Sequence, residues 1–390
     1  MKLLSQAGLW LGACFVAKSG DNPWLDMLRT LAIALVLLRH GQRALLSRAE
    51  RAELGVFDFL ALNGWVGVDL FFVLSGYLVG TKLLAPRTAA NPVMISVYLL
   101  DRARRILPAY LAVLAITVMG VFPGFAVSGD NLSWRILYHL LFLQDVLPSD
   151  INVVFWSLGV EVKFYIALPL VAYLLLRMRT KLGQISLIAV IVAVGGLIRI
   201  SLYMRMDQPV DYVAFWSTLR SPFYTSLEPL FLGTAIALLT TKGAYLAQST
   251  AKGLLAGLLL GSAIWFSSGD FMGTISLWDA SYQPLALALI FSIAVWAAAS
   301  LKNTKLWAEP FFRIMARLSY SLYLVHFPLL PLALYLGGTG TPTGTMVFWS
   351  VLLATSLSLS VFIYVIIERP FLRPRSSLQP ASVQTSTGVS

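Results

Sequence analysis

The chain is poor in charge, in cysteine and in histidine. Charged residues make up 12% of its 390 residues, against roughly 25% in soluble proteins. A single cysteine, Cys14, leaves no partner for an internal disulfide and no thiol pair for a metal. With three histidines and no clustered thiols, we expect no metal site and no bound cofactor. A phosphate-binding glycine loop, a His-Glu-x-x-His metal helix and a Gly-x-Ser-x-Gly nucleophile elbow are also missing from the sequence.

Long apolar stretches are what the chain has instead. Hydrophobic residues make up 58% of it, and the mean hydropathy is +0.78. A spanning helix needs about 20 mostly apolar residues, because lipid cannot hydrogen-bond to free backbone groups. The sequence therefore predicts an all-α integral membrane protein, a bundle of about ten transmembrane helices. The predicted spans are 24–42, 65–84, 106–125, 157–176, 184–203, 222–241, 251–267, 283–300, 318–336 and 347–367.

The net charge of +11 is divided unevenly between alternate loops. If the N-terminus lies inside, the Arg102–Arg105 cluster and most other Lys and Arg residues face the cytoplasm, while acidic residues such as Asp130 and Asp207 fall in outer loops. This pattern follows the positive-inside rule, so both termini are predicted to be cytoplasmic. The basicity then indicates topology, and we expect no nucleic-acid partner.

The short connections leave no room for a soluble domain between spans. We divide the chain into a cytoplasmic N-terminal segment 1–23, a transmembrane domain 24–373 and a Ser/Thr-rich cytoplasmic tail 374–390, which we expect to be disordered. Apolar residues 3–16 also resemble a signal peptide, but cleavage there would invert the charge asymmetry.

The first predicted span carries an arginine and a histidine eleven positions apart, Arg29 and His40. At about 100° per residue they lie about 20° apart around the helix and about 16 Å apart along it. Ionisable side chains inside a membrane are costly and are therefore candidates for function. This face suits a tunnel that meets an anion at its inner end and carries out proton chemistry further out. Alternatively, Arg29 reaches the inner headgroups and His40 lies at the outer interface.

The second predicted span runs back inward and contains Asp69 near its outer end. We predict that Asp69 lies at the depth of His40, where its carboxylate would orient the imidazole and stabilise the protonated ring. Ser75 is a candidate to line the tunnel or to stabilise an oxyanion. Small residues such as Gly76 are expected to let helices approach closely.

Three arginines, Arg102, Arg104 and Arg105, stand at the cytoplasmic mouth of the third predicted span. Arg102 and Arg105 are three positions apart, on one side of a helical turn, and guanidinium groups suit phosphate. Ordinary inside-positive charge explains the same cluster.

Two later spans add further polar groups. Glu161 is predicted just inside the outer boundary, where it pairs with Lys163, positions an acceptor or acts as a second acid/base group. Tyr320 and His326 belong to the run Ser-Tyr-Ser-Leu-Tyr-Leu-Val-His in the ninth span. They either bridge helices or line the tunnel, where they are oxyanion candidates.

Six motifs in a fixed order resemble the membrane-bound acyltransferase family 3, over roughly residues 22–373. The family's arginine and histidine separated by ten residues match Arg29 and His40, and its Arg-x-x-Arg element matches Arg102 and Arg105. The motifs are Leu-Asp-Met-Leu-Arg-Thr-Leu-Ala running to the histidine, Gly-Val-Asp-Leu-Phe-Phe-Val-Leu-Ser-Gly, Arg-Arg-Ile-Leu-Pro, Trp-Ser-Leu-Gly-Val-Glu-Val-Lys-Phe-Tyr, Ser-Tyr-Ser-Leu-Tyr-Leu-Val-His and Glu-Arg-Pro.

The resemblance implies a transmembrane O-acyltransferase of a bacterial cytoplasmic (inner) membrane. Such an enzyme moves an acyl group, with acetyl expected, from cytoplasmic acyl-CoA as co-substrate to a hydroxyl of a carbohydrate or glycoside acceptor at the outer face. The resemblance implies functional roles for Arg29, His40, Arg102 and Arg105. Our hypothesis for the mechanism uses these positions: His40 is the general base, with Asp69 to orient it and Glu161 as a second catalytic candidate. Arg102, Arg105 and Arg104 are the candidates to hold the acyl-CoA phosphates, and Arg29 neutralises charge deeper in the tunnel. The competing interpretation is a transporter or flippase of an anionic or sugar-containing substrate, because a tunnel lined by Arg, His and Asp also suits a carrier.

Overall fold

The protein is described by a computed structural model that covers residues 21–46, 54–85, 92–127, 129–147, 150–269, 275–338 and 341–372. These ranges are helical and contain no strand, apart from one isolated bridge between Val210 and Ile275. The predicted all-helical class is confirmed. Cys14, nearly all of segment 1–23 and the whole tail 374–390 lie outside the described residues.

We number the helices α1 to α13 in chain order, and each predicted span overlaps at least one of them. A one-turn helix and a π-helical turn, together residues 212–220, precede α8, and α13 continues through the π-helical segment Ile363–Glu368. The helices are α1 (Pro23–Leu46), α2 (Val56–Leu62), α3 (Val66–Leu83), α4 (Pro92–Val118), α5 (Leu132–Leu140), α6 (Trp156–Arg177), α7 (Lys181–Tyr203), α8 (Leu227–Thr241), α9 (Gln248–Phe266), α10 (Gln283–Ser300), α11 (Glu309–Val325), α12 (Leu330–Gly337) and α13 (Pro342–Phe362).

Six helical segments in the described ranges are long and apolar enough to cross a membrane, and a bent pair formed by α11 and α12 makes a seventh candidate. Helices α1 and α4 are not among them, although they have 24 and 27 residues, because each carries several charged side chains. Helix α8 is apolar but has only 15 residues. The structure thus supports a multi-pass membrane protein, while the count of ten spans and the cytoplasmic placement of both termini stay predictions.

Helix α3 is buried along most of its length and crosses α8 at very short range. A Cβ added to Gly76 of α3 would lie 2.0 Å from the carbonyl oxygen of Leu230, and one added to Gly233 of α8 would lie 2.2 Å from that of Val73. Only glycine allows two helix backbones to approach this closely. The predicted packing role of Gly76 is therefore confirmed.

The chain bends by 84° between α11 and α12. Helix α11 ends at Val325, and Pro328 follows in the connecting turn. Proline lacks the backbone N–H that a continuing helix needs, so the sequence favours a break at this point. The bend places His326 and Phe327 beside α1, where both rings contact the ring of His40.

Candidate active site

A cavity of about 150 Å³ lies among α1, α3, α4, α6 and α11. Its wall combines apolar side chains with arginines, one glutamate and several hydroxyl groups. Six of the ten predicted site residues line it, namely Arg29, Ser75, Arg102, Arg105, Glu161 and Tyr320. The other four, His40, Asp69, Arg104 and His326, are not part of its wall.

Two of the cavity arginines are held by carboxylates. The Arg29 guanidinium is 3.5 Å from the carboxylate of Asp26, one turn earlier on α1. Arg105 forms an ion pair with Glu368, a fully buried residue whose second oxygen accepts a hydrogen bond from Ser321 at 2.9 Å. These contacts join α4 and α11 to the end of the last helix, and they fix Arg105 in the wall.

Arg102 is the cavity arginine with no ion pair among the described residues. Its guanidinium lies 5.9 Å from the centre of the Tyr165 ring, and its Nε is buried without a hydrogen-bond partner. A buried donor without a partner is costly, so this group is available to an incoming anion. Arg104 lies outside the wall and approaches Asp101 at 4.0 Å.

Glu161 is held by two hydroxyl groups of the cavity. Its Oε1 accepts a hydrogen bond from Ser75 at 2.5 Å and another from Tyr165. The pairing with Lys163 that the sequence left open is absent, because Lys163 forms its ion pair with Asp145 instead. Glu161 therefore shares one cavity with the arginines rather than occupying a separate outer layer.

His40 lies beside the cavity, against the bend of the α11–α12 pair. Its ring centre is 5.2 Å from that of His326 and 5.1 Å from that of Phe327. Tyr323, which lines the cavity, has its ring centre 5.8 Å from that of His326. His326 thus lies against a residue of the cavity wall, and His40 lies against His326. Tyr320 lines the wall itself, and its hydroxyl donates to the carbonyl of Ile106 at 2.9 Å.

Asp69 has a different partner from the one predicted. Both of its carboxylate oxygens accept hydrogen bonds from Arg220, each at 2.8 Å, and the pair is buried. The Arg220 guanidinium also lies 5.0 Å from the ring centre of Trp65 and 5.7 Å from that of Trp156. Within the described ranges no hydrogen bond joins Asp69 to His40, so the predicted pairing is not the one that the fold adopts.

Sequence reasoning missed two residues that hold this region together, Arg220 and Glu368. Arg220 stands just before the predicted span 222–241, among the loop residues, and Glu368 belongs to the Glu-Arg-Pro motif after the last predicted span. The motif could have predicted an ion pair of Glu368, because a carboxylate at a membrane helix end needs a cationic partner. For Arg220 the sequence offered no comparable signal.

The arrangement can bind an anion and can move a proton. Three guanidinium groups supply positive charge at the cavity, and an imidazole pair and a carboxylate supply acid/base groups in or beside it. In the part of the chain that the structure covers, no group of three or more His, Cys, Asp or Glu side chains is placed to hold a metal ion.

Buried ionisable groups around a cavity in an apolar helical bundle define a polytopic membrane protein with an internal reaction or binding site. The chain belongs to the family described as Acyltransferase domain, whose model matches residues 22–365. The resemblance inferred from the order of the motifs is thereby confirmed, and the chain is a member of an enzyme family whose chemistry is acyl transfer.

Several bacterial proteins are similar to this chain. The Bacillus subtilis protein YrhL, provisionally named a peptidoglycan O-acetyltransferase, is 26% identical over 380 residues, which cover 89% of this chain and 54% of YrhL. The Staphylococcus aureus O-acetyltransferase OatA is 24% identical over 329 residues, which cover 79% of this chain and 50% of OatA. The chain thus spans about half the length of these relatives. No solved structure matches it.

Proposed function

We propose that the protein is a membrane O-acyltransferase. It moves an acyl group, with acetyl as the expected group, from acyl-CoA to a hydroxyl of a carbohydrate or glycoside at the outer face. One observation carries the proposal. Arg29, Arg102 and Arg105 converge on one cavity, and the helix that supplies Arg29 also supplies His40. The arginines can bind the phosphates of an acyl donor, and the imidazole can take the proton of the acceptor hydroxyl.

The donor binds by its charge. Acyl-CoA carries phosphates, and guanidinium groups bind phosphate with charge-assisted hydrogen bonds. Arg102 is the best candidate for this contact, because no carboxylate among the described residues neutralises it, while Arg29 and Arg105 add positive charge to the wall. Arg104, outside the wall, contributes at most to the potential at the mouth of the cavity.

The transfer itself needs one proton acceptor. As the acceptor hydroxyl attacks the thioester carbonyl, a C–O bond forms, the C–S bond breaks and the hydroxyl proton moves to His40, which then gives it to the CoA thiolate. General-base help of this kind is worth about 10²–10⁴ in rate. Glu161 lines the cavity and is held by Ser75 and Tyr165, and its proposed role is to orient the acceptor hydroxyl or the donor.

The names of the relatives support a carbohydrate acceptor. One relative is provisionally named a peptidoglycan O-acetyltransferase, and the other is an O-acetyltransferase. We propose a sugar hydroxyl of a cell-surface polysaccharide or glycoside, presented from the outer side, with the membrane as the second partner of the protein.

The test is turnover of acetyl-CoA by purified protein in liposomes. Wild type is expected to hydrolyse the thioester or transfer its acyl group, and His40→Ala is expected to lose that activity by at least 10²-fold because the base is gone. His139→Ala, a change to a fully buried histidine that does not line the cavity, serves as the control. Full activity of His40→Ala would rule out His40 as the base.

One observation favours the transporter alternative. Carriers often form their substrate sites at discontinuous helices, and here a helix pair is broken by 84°, with His326 at the break. If wild type turns over no donor from a panel of acyl-CoAs but the liposomes accumulate a labelled anion or sugar, this alternative replaces the enzyme.

A further inference from the structure

His326 is fully buried at the bend between α11 and α12. Its Nδ1 lies 2.8 Å from the carbonyl oxygen of Tyr323 and 3.2 Å from that of Leu322. A carbonyl oxygen can only accept, so Nδ1 carries a proton and donates it to these oxygens. In the neutral ring, Nε2 is then an acceptor with a free lone pair.

That lone pair has no donor. The Nε2 atom of His326 is buried and makes no hydrogen bond with any described residue. Leaving a buried polar atom unpaired costs about 1–3 kcal/mol, so such an atom calls for an explanation. The ring of His40 has its centre 5.2 Å away, with the two planes at 54°. Hydrogen bonds between nitrogens span about 3 Å, a distance that two ring edges at this separation can reach by a small rotation or through one water.

We propose that His326 is the positioning residue of His40, in the role that the sequence suggested for Asp69. This inference rests on the proposed function. The Nε2 of His326 accepts the N–H of His40 and so holds the second nitrogen of His40 as the lone-pair atom that faces the acceptor hydroxyl. The same tautomer removes His326 as a neutral oxyanion donor, because its Nε2 carries no hydrogen.

The proton balance of the reaction is unchanged by this contact. When His40 takes the hydroxyl proton it becomes an imidazolium with two N–H groups, one of which already donates to His326. The hydrogen bond becomes charge-assisted at that moment and stabilises the transition state more than the ground state. The proton leaves with the CoA thiolate, and His326 stays neutral throughout.

The kinetic test compares His326→Leu, which removes the acceptor, with His326→Gln, whose side-chain oxygen can take the place of Nε2. We expect His326→Leu to lower kcat for acetyl-CoA turnover on the order of 10²-fold. Its KM should stay within about twofold, because the arginines that bind the donor are untouched. His326→Gln should recover at least tenfold of the loss. Equal losses in both variants would mean a packing role and would overturn the proposal, as would a kcat unchanged in His326→Leu.

His139 provides a matched control. It is also fully buried, its Nδ1 lies 2.8 Å from the carbonyl oxygen of Arg135, and its Nε2 is unpartnered among the described residues, but it belongs to α5 and does not line the cavity. The Nε2 atom of His139 is therefore an unpartnered acceptor like that of His326, but it lies away from His40 and the cavity. His139→Gln should leave kcat within twofold of wild type.

A second readout does not depend on activity. The chain has three histidines, so ¹⁵N-histidine-labelled protein without a polyhistidine tag gives three ring spectra that single variants assign. We expect an Nδ1–H tautomer at His326 and a changed His40 ring spectrum in His326→Leu. An Nε2–H tautomer at His326, or a His40 ring spectrum that is the same in His326→Leu as in wild type, would contradict the inference. If wild type turns over no acyl-CoA, the proposed function fails, but these spectra still show whether His40 is hydrogen-bonded to His326.

Discussion

Arg102 and Arg105 are three positions apart and line the same cavity, but their surroundings differ. Arg105 is paired with the fully buried Glu368, whereas Arg102 has no carboxylate partner among the described residues. A paired guanidinium keeps its position but offers less charge to a ligand, and an unpaired one keeps its full charge for phosphate. In the proposed enzyme, Arg105 therefore shapes the cavity and Arg102 binds the donor.

This difference predicts distinct effects for substitutions of the two arginines. Arg102→Gln should raise the KM for acetyl-CoA by about tenfold or more, because a hydrogen bond to a charged group is worth about 1.5–3 kcal/mol, and should leave the melting temperature in detergent nearly unchanged. Arg105→Gln should lower that temperature, since it leaves the Glu368 charge buried and unpaired. The loss is about 3 kcal/mol, the low end for a broken buried pair, because the Arg105 side chain is 31% exposed.

Adding Glu368→Gln to Arg105→Gln removes the unpaired charge and should recover most of the lost melting temperature. Exchanged phenotypes, with Arg102→Gln unstable and Arg105→Gln impaired only in KM, would contradict this division of roles.

The sequence predicts where the helices lie along the chain better than it predicts which side chains of different helices contact each other. Each predicted span overlaps a helix because lipid demands an apolar run wherever the chain crosses it. The partner of a charged side chain depends instead on which helices become neighbours in the fold. Asp69 pairs with Arg220, 151 positions later, and no local pattern distinguishes that arginine from the others. The prediction that Arg29 and His40 lie on one helix needs only their spacing and holds in α1, whereas the approach of His326 to His40 depends on the bend after α11.

The contact between α3 and α8 gives a prediction at this scale. Gly76→Ala should destabilise the protein by about 1–3 kcal/mol or more, because the new methyl group would lie 2.0 Å from a backbone oxygen that cannot move away alone. The readout is the melting temperature in detergent. Gly257→Ala in α9 is the matched control, since an added Cβ there meets nothing within 4 Å. Alanine favours helix more than glycine, so the control should be unchanged or slightly more stable. Equal destabilisation of both variants would argue against the close crossing.

For the whole molecule, the number of membrane crossings depends on helices that hydropathy alone treats as marginal. Helices α1 and α4 carry the arginines of the cavity, and charges on helices that surround an internal site need not face lipid. Helix α8 is a different case. Its 15 residues span about 22 Å at 1.5 Å per residue, which is less than the roughly 30 Å of hydrocarbon. The 3₁₀ turn Phe223–Thr225 just before α8 adds length, and the ten-span topology requires this segment to cross.

Cysteine labelling decides whether α8 crosses. In a Cys14→Ser background, Asp207→Cys and Lys302→Cys each place one thiol at an exposed position, on either side of α8, α9 and α10. Three crossings put these positions on opposite sides of the membrane, whereas two crossings put them on the same side. With the positive-inside rule, we expect a membrane-impermeant maleimide to label Asp207→Cys in intact cells and Lys302→Cys only after permeabilisation. Labelling of both from outside would remove α8 from the spans, and labelling of Lys302→Cys alone would invert the topology and place the cavity arginines at the outer face.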